Sequence, residues 1–485
     1  MAGELRSNIK LTPTAFFNIH LQGGMLRWSL RASLAGSKNT IGQFERFMSV
    51  EHGGKTSNLI ALTATITRET EKLDRYLKEN GLPHPCFDVN SPLRFPNFPK
   101  EIKEARERIL TATSELGDLV KGPSEGLRWM AWDHNNSLSL HAVYHYNIAK
   151  SFPLNGTTTY AQISQNVGLD EVNVRRFIRH AMTNRIFKEV SPGIVAHTAT
   201  SRILAEDEPM AQWVGFCVED IFPAAAHTVA ALKSYPSASE PTQTGFCVAN
   251  GTADKEAMYA TFAQSPLRTK RMGGAMTSLT GGEGYELSYL VDHYDWDGID
   301  KVGGTVVDVG GSHGFVCVDL AKRWKNTHFI VQDLPKTVAS APDLGELGNR
   351  IVFQAYDFYT TQTVKGADAY LYRWILHNQS TPYAVKMLRQ LIPALKKGAR
   401  VVINDYCLVE PGVGSPIDEK IMRSMDLVTL SLLNAQERTE EEFKNLFQEV
   451  DARFVFKGVS KPEGSRMSVV EAIWDGEDFG GDVTL

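Results

Sequence analysis

The sequence predicts an α/β protein: a doubly wound, mainly parallel sheet in its C-terminal part, preceded by a mainly helical part. Three observations carry this. A strand, a glycine turn, a helix and a second strand follow one another over 305–335. Strand-length apolar runs then alternate with helix-length segments almost to the end. Upstream, periodic helical stretches flank a segment with winged-helix spacing. The implied domains are an extension at 1–56, a helical and winged-helix domain at 57–285, and the sheet domain at 286–485.

Residues 1–50 carry Arg6, Lys10, Arg27, Arg31, Lys38 and Arg46 against Glu4 and Glu45. Organelle transit peptides share that composition; the first reading here is an extension or a dimer arm. A helix is expected over 57–79, with Ser57 as N-cap and Leu59, Leu62, Ile66, Leu73 and Leu77 on one face. Pro and Asn make 80–99 an irregular linker. A second helix, 99–120, ends at Gly122-Pro123, and a third covers 125–150. Together these helices carry more apolar surface than a small domain buries, which suits a second copy of the chain as partner.

In the winged-helix segment, Thr159 caps the first helix and Asp170-Glu171 open the second. A hairpin turns about Pro192-Gly193. Arg175, Arg176 and Arg179 on the second helix raise a DNA-binding reading. The same helix carries Phe177, Ile178 and Met182, and the chain is acidic, so the expected role is structural. Helices follow at 208–235, interrupted by Pro223, and at 258–279. Their methionines and aromatics usually mean core. Lying just before the sheet domain, they also supply candidate pocket walls: Trp213, Phe216, Phe222, His227, Met258 and Phe262, with Met422, Met425 and Leu433 from a later helix over 421–433.

The sheet domain opens with Val306-Val307-Asp308-Val309, and its strands continue at 329–331, 350–353, 369–372 and 400–404. An antiparallel hairpin, 454–459 with 468–473, closes it. Further helices are expected at 315–324, 383–394 and 439–449. Ligands of such sheets bind at the carboxyl ends of the strands. Asp308, Asp333, Asp357, the segment from Arg373, and Asp405 all fall there.

The glycines stand at 310, 311 and 314, so the dinucleotide frame G-x-G-x-x-G fails. A glycine turn alone is equally a tight turn of some other α/β protein. Asp308 two residues before it suits an amine-bearing ligand better than a diphosphate. Asp333 suits ribose hydroxyls. S-adenosylmethionine has the amine and the ribose and lacks phosphate.

The ordered series VDVGG-x-x-G, VQDLP, YDFY, YRWILHNQS, VVINDY and NAQERTEEEF resembles the class I S-adenosylmethionine-dependent O-methyltransferases of the plant caffeate and flavonoid type. It is most similar to their fungal secondary-metabolite branch. The resemblance covers roughly 57–475 and implies a Rossmann-like catalytic domain, with the winged-helix part serving dimerisation and substrate capping. It implies that Asp308, Gly310 and Gly314 cradle the methionine part of the cofactor and that Asp333 binds the ribose. Asp357 and Phe358 would flank the adenine, with Arg373 near the cofactor. His377 stands at the catalytic position, and Asp405 and Glu437 stand where carboxylates flank it. The substrate class is a hydroxyl of an aromatic or polyketide-type small molecule. A phenol of pKa about 10 is a poor nucleophile until a base takes its proton, and a histidine can do so. No metal is implied, since His377 has no His or Cys neighbour at ligand spacing.

Two departures stand out. The family pattern has His-Asp-Trp where this chain has His377-Asn378-Gln379, and Ser312-His313 replaces a glycine-containing pair. Some fungal relatives hold the cofactor as a fixed charge and catalyse dehydration or pericyclic closure, which is the alternative reading.

The chain of 485 residues has net charge −5 and pI near 6.3, which gives no general reason to expect nucleic acid or a membrane surface as partner. Its five cysteines are scattered, without C-x-x-C. That pattern suits reduced thiols and a cytoplasmic location.

Overall fold

The computed structural model of the protein describes residues 57–237 and 239–478; the extension expected at 1–56 lies outside them. The first helix spans Asn58–Glu79. The second, Lys100–Trp132, runs through the expected stop, but its backbone breaks there: Gly122 takes φ 71° and ψ 166°. Pro123 then starts a fresh turn, where its missing N–H costs nothing. The third expected helix is thereby divided, its main part being His134–His145.

The winged-helix segment consists of β1 (Thr157–Thr159), helices Tyr160–Val167 and Glu171–Thr183, β2 (Lys188–Ser191) and β3 (Ile194–Ala196). Its strands pair antiparallel in the order β1-β3-β2. Thr159 Oγ1 accepts from the Gln162 amide at 3.1 Å and Asp170 Oδ1 from the Val172 amide at 3.0 Å. Val174, Ile178 and Ala181 are fully buried, which fixes the second helix against this core. Arg179 is committed to Glu189 at 2.9 Å and to the Tyr160 hydroxyl at 3.3 Å.

The helix expected over 208–235 is two, Glu208–Phe216 and Phe222–Ser234, joined by a π turn at Cys217–Ile221. Pro223 has no N–H for the regular ladder and crowds the turn before it, so the chain widens there. Within that turn Asp220 is buried and pairs with Arg271 at 2.9 Å and Arg268 at 3.1 Å. Burial pushes its pKa up, against the pull of both guanidiniums. Asp220→Ala leaves the buried Arg271 guanidinium uncompensated, and a loss of roughly 3 kcal/mol in unfolding free energy is expected from urea titration. The helix expected over 258–279 also divides, into Met258–Ala263 and Pro266–Thr280. Pro266 cannot continue the first helix, and Ser265 caps the second by accepting from the Arg268 amide.

The sheet is built from β4 (Thr305–Val309), β5 (His328–Asp333), β6 (Ile351–Ala355), β7 (Ala369–Arg373) and β8 (Arg400–Asp405). A two-residue pair, β9 (Cys407–Leu408) and β10 (Arg438–Thr439), stands apart. The closing hairpin is β11 (Phe454–Ser460) and β12 (Ser468–Trp474). The main sheet runs β11-β12-β8-β7-β4-β5-β6. β4 to β8 are parallel, and β12 is antiparallel to β8. The α/β class and the antiparallel closing hairpin agree with the sequence expectation. All of β4 is buried, as a strand covered on both faces requires. One face packs on helices Thr381–Arg389 and Glu440–Val450 through Leu388, Phe443 and Phe447. The other packs on Phe315–Arg323 through Cys317 and Leu320. Strand order reverses between β4 and β7, so the ligand crevice of this sheet opens at their carboxyl ends. Among the described residues, no helix is long and apolar enough to cross a membrane.

Candidate active site

The turn after β4 is shaped by what it excludes. The Gly310 and Gly311 amides both donate to the Gln332 carbonyl at the end of β5, at 2.7 and 3.1 Å. Gly310 has φ 76°, and a Cβ there would fall 2.5 Å from Ile375. A Cβ on Gly311 would fall 2.5 Å from the Asp308 carboxylate. Ser312 also takes positive φ, 53°, a conformation that costs a non-glycine residue on the order of 1 kcal/mol. Its amide donates to Asp333 Oδ2 at 2.9 Å, which holds the turn against the end of β5. Within the altered pair, Ser312 is thus tied to the end of β5 through its own amide.

Asp308 is buried at the base of this crevice. Burial pushes its pKa up to about 7, while a long contact from the Cys317 thiol at 3.6 Å and the charge of Arg373 pull it down. Asp333 is half-buried, and its Oδ1 accepts from the Leu334 amide. Asp357 is exposed and accepts from the Tyr359 amide at 2.9 Å. Phe358 lies edge-on to Tyr359, with centroids 4.9 Å apart. Arg373, at the end of β7, donates to the Tyr285 carbonyl at 2.9 Å and to Asn404. Burial lowers its pKa to about 10. The expected crevice residues thus gather along the carboxyl ends of β4 to β7.

Beyond β7 the chain reverses at Trp374, with φ 59°, and makes a short 3-10 turn at Leu376–Asn378. His377 is carried on that turn and is buried. Its Nδ1 lies 2.9 Å from Glu437 Oε1. A carboxylate only accepts, so Nδ1–H is the donor, and Nε2 has no hydrogen bond among the described residues. Burial lowers the His377 pKa, but the Glu437 charge and hydrogen bond outweigh it, and the net shift is upward. Asp405 differs from the expected arrangement. Its Oδ2 accepts the His377 backbone N–H at 3.0 Å, and among the described residues it makes no hydrogen bond to the ring, on which it acts only through its charge. It holds the turn while Glu437 holds the imidazole. Burial raises the Asp405 pKa to about 6.

Glu437 reaches this place through the parallel pairing of β10 with β9, which lays Arg438 beside Cys407. Its amide donates to Asp426 at 2.8 Å. Arg438, a possible ion-pair partner for Glu437 on sequence grounds, instead donates to the carbonyls of Leu376 and Gln379, at 2.9 and 2.7 Å. It ties down the turn that bears His377. In the altered tripeptide, Asn378 donates to the Trp374 carbonyl and Gln379 accepts from the Tyr359 hydroxyl. Both residues brace the loop, while Trp374 Nε1, Asp405 Oδ1 and Glu437 Oε2 are buried around it without a hydrogen-bond partner among the described residues.

A cavity of about 1580 Å³ opens between the helical part and the sheet. Of the nine candidate wall residues, Trp213 and Met425 line it. Phe216, Met258, Phe262 and Leu433 face neighbouring helices in a sealed core instead, and Met422 packs beneath Tyr285 and Tyr406. Phe222 is half-buried, and His227 is exposed with its ring bonded to the Pro223 carbonyl. Position on a helix cannot tell cavity wall from core when both are apolar. Three aromatics escaped the sequence reading. Tyr285 and Tyr406 border the cavity with their hydroxyls hydrogen-bonded. Trp374 packs on Tyr285, Tyr406 and His377, at centroid distances of 5.8, 5.2 and 4.9 Å. Trp374 lies inside the quoted motif, so its place was a usable signal; Tyr285 offered none.

The O-methyltransferase domain model matches residues 258–452. A chlorophenol O-methyltransferase of Trichoderma longibrachiatum is 51% identical over 87% of this chain and 91% of its own length. O-methyltransferase pyvH of Aspergillus violaceofuscus is 38% identical over 87% of this chain and its whole length. The crystal structure of OxaC superposes with TM-score 0.68 at 22% identity, over 86% of this chain and 100% of that one; at that identity the likeness concerns the fold.

Proposed function

Since the chain belongs to the O-methyltransferase family, we propose that it methylates the hydroxyl of a phenol-type aromatic small molecule, with His377 as general base. The buried His377–Glu437 pair at 2.9 Å carries this reading. Nδ1–H is committed to Glu437, so Nε2 is the lone-pair base. It takes the hydroxyl proton as the oxygen becomes nucleophilic, and Glu437 stabilises the resulting imidazolium. Asp405, Arg438 and Asn378 fix the turn, so the base needs no reorganisation.

The crevice fits S-adenosylmethionine, which when bound supplies a methyl group on a sulfonium. The glycine turn packs tightly over Ile375 and Asp308 at the end of β4, and Asp333 and Asp357 present carboxylates for polar groups of the nucleoside. Asp308 is a carboxylate whose pKa burial pushes up to about 7, against the pull of the Arg373 charge. An incoming ammonium would return it to the charged form. Gly311→Ala pushes that carboxylate aside and is expected to weaken cofactor binding at least about 10-fold by titration calorimetry, with unchanged circular dichroism.

The aromatic-walled cavity and the chlorophenol named for the Trichoderma relative support a phenolic acceptor. Exposed Val120 before the Gly122 break and exposed Leu127, Trp129, Met130 and Trp132 after it support a homodimer through the helical part. The test of the reaction is incubation with methyl-labelled cofactor and a panel of phenols, chlorinated ones included. Labelled methyl ether and demethylated cofactor are expected in equal amounts. Turnover of an acceptor without cofactor consumption would replace this reading by a pericyclase or dehydratase.

A further inference from the structure

Away from the crevice, two imidazoles and a carboxylate converge where the helical part meets the π turn. His141 and His145 lie one helical turn apart on His134–His145, so their rings share a face. The rings meet edge to face, with centroids 5.8 Å apart. Glu219 approaches from the π turn at Cys217–Ile221. Its Oε1 is 3.2 Å from His141 Nε2 and 2.8 Å from His145 Nδ1, and the three ligand atoms all lie within 4.8 Å of one another. We propose that His141, His145 and Glu219 form a binding site for a divalent transition-metal ion of the zinc type, separate from the methyl-transfer machinery.

Ligand spacing supports an ion of this size. Metal–ligand bonds of about 2.0–2.2 Å at tetrahedral angles place ligand atoms roughly 3.3–3.6 Å apart. The His141 separation of 3.2 Å is already close to that range, and the His145 separation of 2.8 Å must open by roughly 0.5–0.8 Å. Ligand chemistry supports the same class: two imidazoles with one carboxylate suit zinc and its first-row neighbours, not calcium or magnesium. Three protein ligands leave a position for water.

The framework around the three side chains is closely packed. The Tyr144 ring, next to His145, lies over Gly215, where a Cβ would fall 2.2 Å from it. Asp220, the residue after Glu219, is clamped by Arg268 and Arg271. The π turn itself rotates Glu219 out of the regular helical register towards the histidines. The Arg271 charge opposes a cation, but its guanidinium is engaged by Asp220 at 2.9 Å. His145 is exposed, which gives an entry path. Cys217 and Ile221 of the same turn line the cavity, so a bound ion would tie a cavity wall to the neighbouring helix.

The experiment is calorimetric titration of the full-length, chelator-stripped protein with zinc chloride. One equivalent is expected to bind in the low micromolar range or tighter, and to raise the thermal midpoint. His145→Ala and Glu219→Gln should each weaken binding by about 100-fold or more. Both variants should keep the wild-type midpoint when metal is absent, which separates lost ligation from lost folding. His141→Gln, which keeps side-chain volume, serves as a third variant. The proposal is overturned if the wild-type protein takes up no saturable equivalent, or if the variants bind zinc as tightly as it does.

Discussion

His377→Ala is expected to lower the rate of methyl transfer by about 10² to 10⁴, the range that a positioned general base contributes. The His377 ring makes no hydrogen bond to the glycine turn, so cofactor affinity should stay close to wild type. That split distinguishes a lost base from a collapsed site. His377 is buried and packs on Trp374, so truncation also leaves a small cavity. His377→Gln fills most of it and retains polar atoms. If Gln restores stability and leaves the rate low, the loss belongs to the base. A rate within about twofold of wild type in both variants would remove His377 from the reaction.

Glu437→Gln carries the second large effect, through both rate and pH. Glu437 orients the imidazole through Nδ1 and supports the charge that forms on it. An amide can accept the same hydrogen bond but offers no charge, and a fall in kcat of about 10²-fold or more is expected. The sign of the pH effect follows from the balance at His377, where burial lowers the pKa and the Glu437 charge raises it further. The base works only when neutral. In the wild-type enzyme the acid limb of kcat/KM should therefore lie above the ordinary histidine value of about 6.5. Removing the Glu437 charge leaves burial dominant, and the limb should move to lower pH even as the plateau falls. A raised folded pKa also means that protonated His377 stabilises the fold fully below pH about 6.5, and that this stability is lost as pH rises through the raised value. An unmoved limb in Glu437→Gln, measured by initial rates across pH, would contradict the pairing.

The sheet was legible because its central strands β4, β5, β7 and β8 are buried on both faces and read as apolar runs, and because Asp308, Asp333 and Asp357 recur at or near strand ends. The pairing of β9 with β10 was not legible. Two-residue strands carry no periodicity, yet this pairing brings Glu437 to His377 across 60 residues of sequence. The division of labour between Asp405 and Glu437 was hidden for a related reason: sequence order places both near the histidine and cannot say which reaches ring and which reaches backbone. Helix breaks at Pro223 and Pro266 were signalled by the prolines themselves. What those breaks did to Glu219 and Asp220 was not, because a π turn changes the register by one residue without a compositional mark. Among the apolar residues proposed as pocket walls, Trp213 and Phe216 are three apart in sequence, yet one faces the cavity and the other the core. Packing against the helix Pro266–Thr280 decides that, and packing is a tertiary fact.

The most direct measurement compares wild type with His377→Ala on phenols of decreasing pKa, from an unsubstituted ring to polychlorinated ones, at one pH. If His377 removes the proton, the mutant's deficit should shrink steadily as the phenol becomes acidic enough to ionise unaided. Equal deficits across the whole series would mean that His377 acts in some way other than as the base.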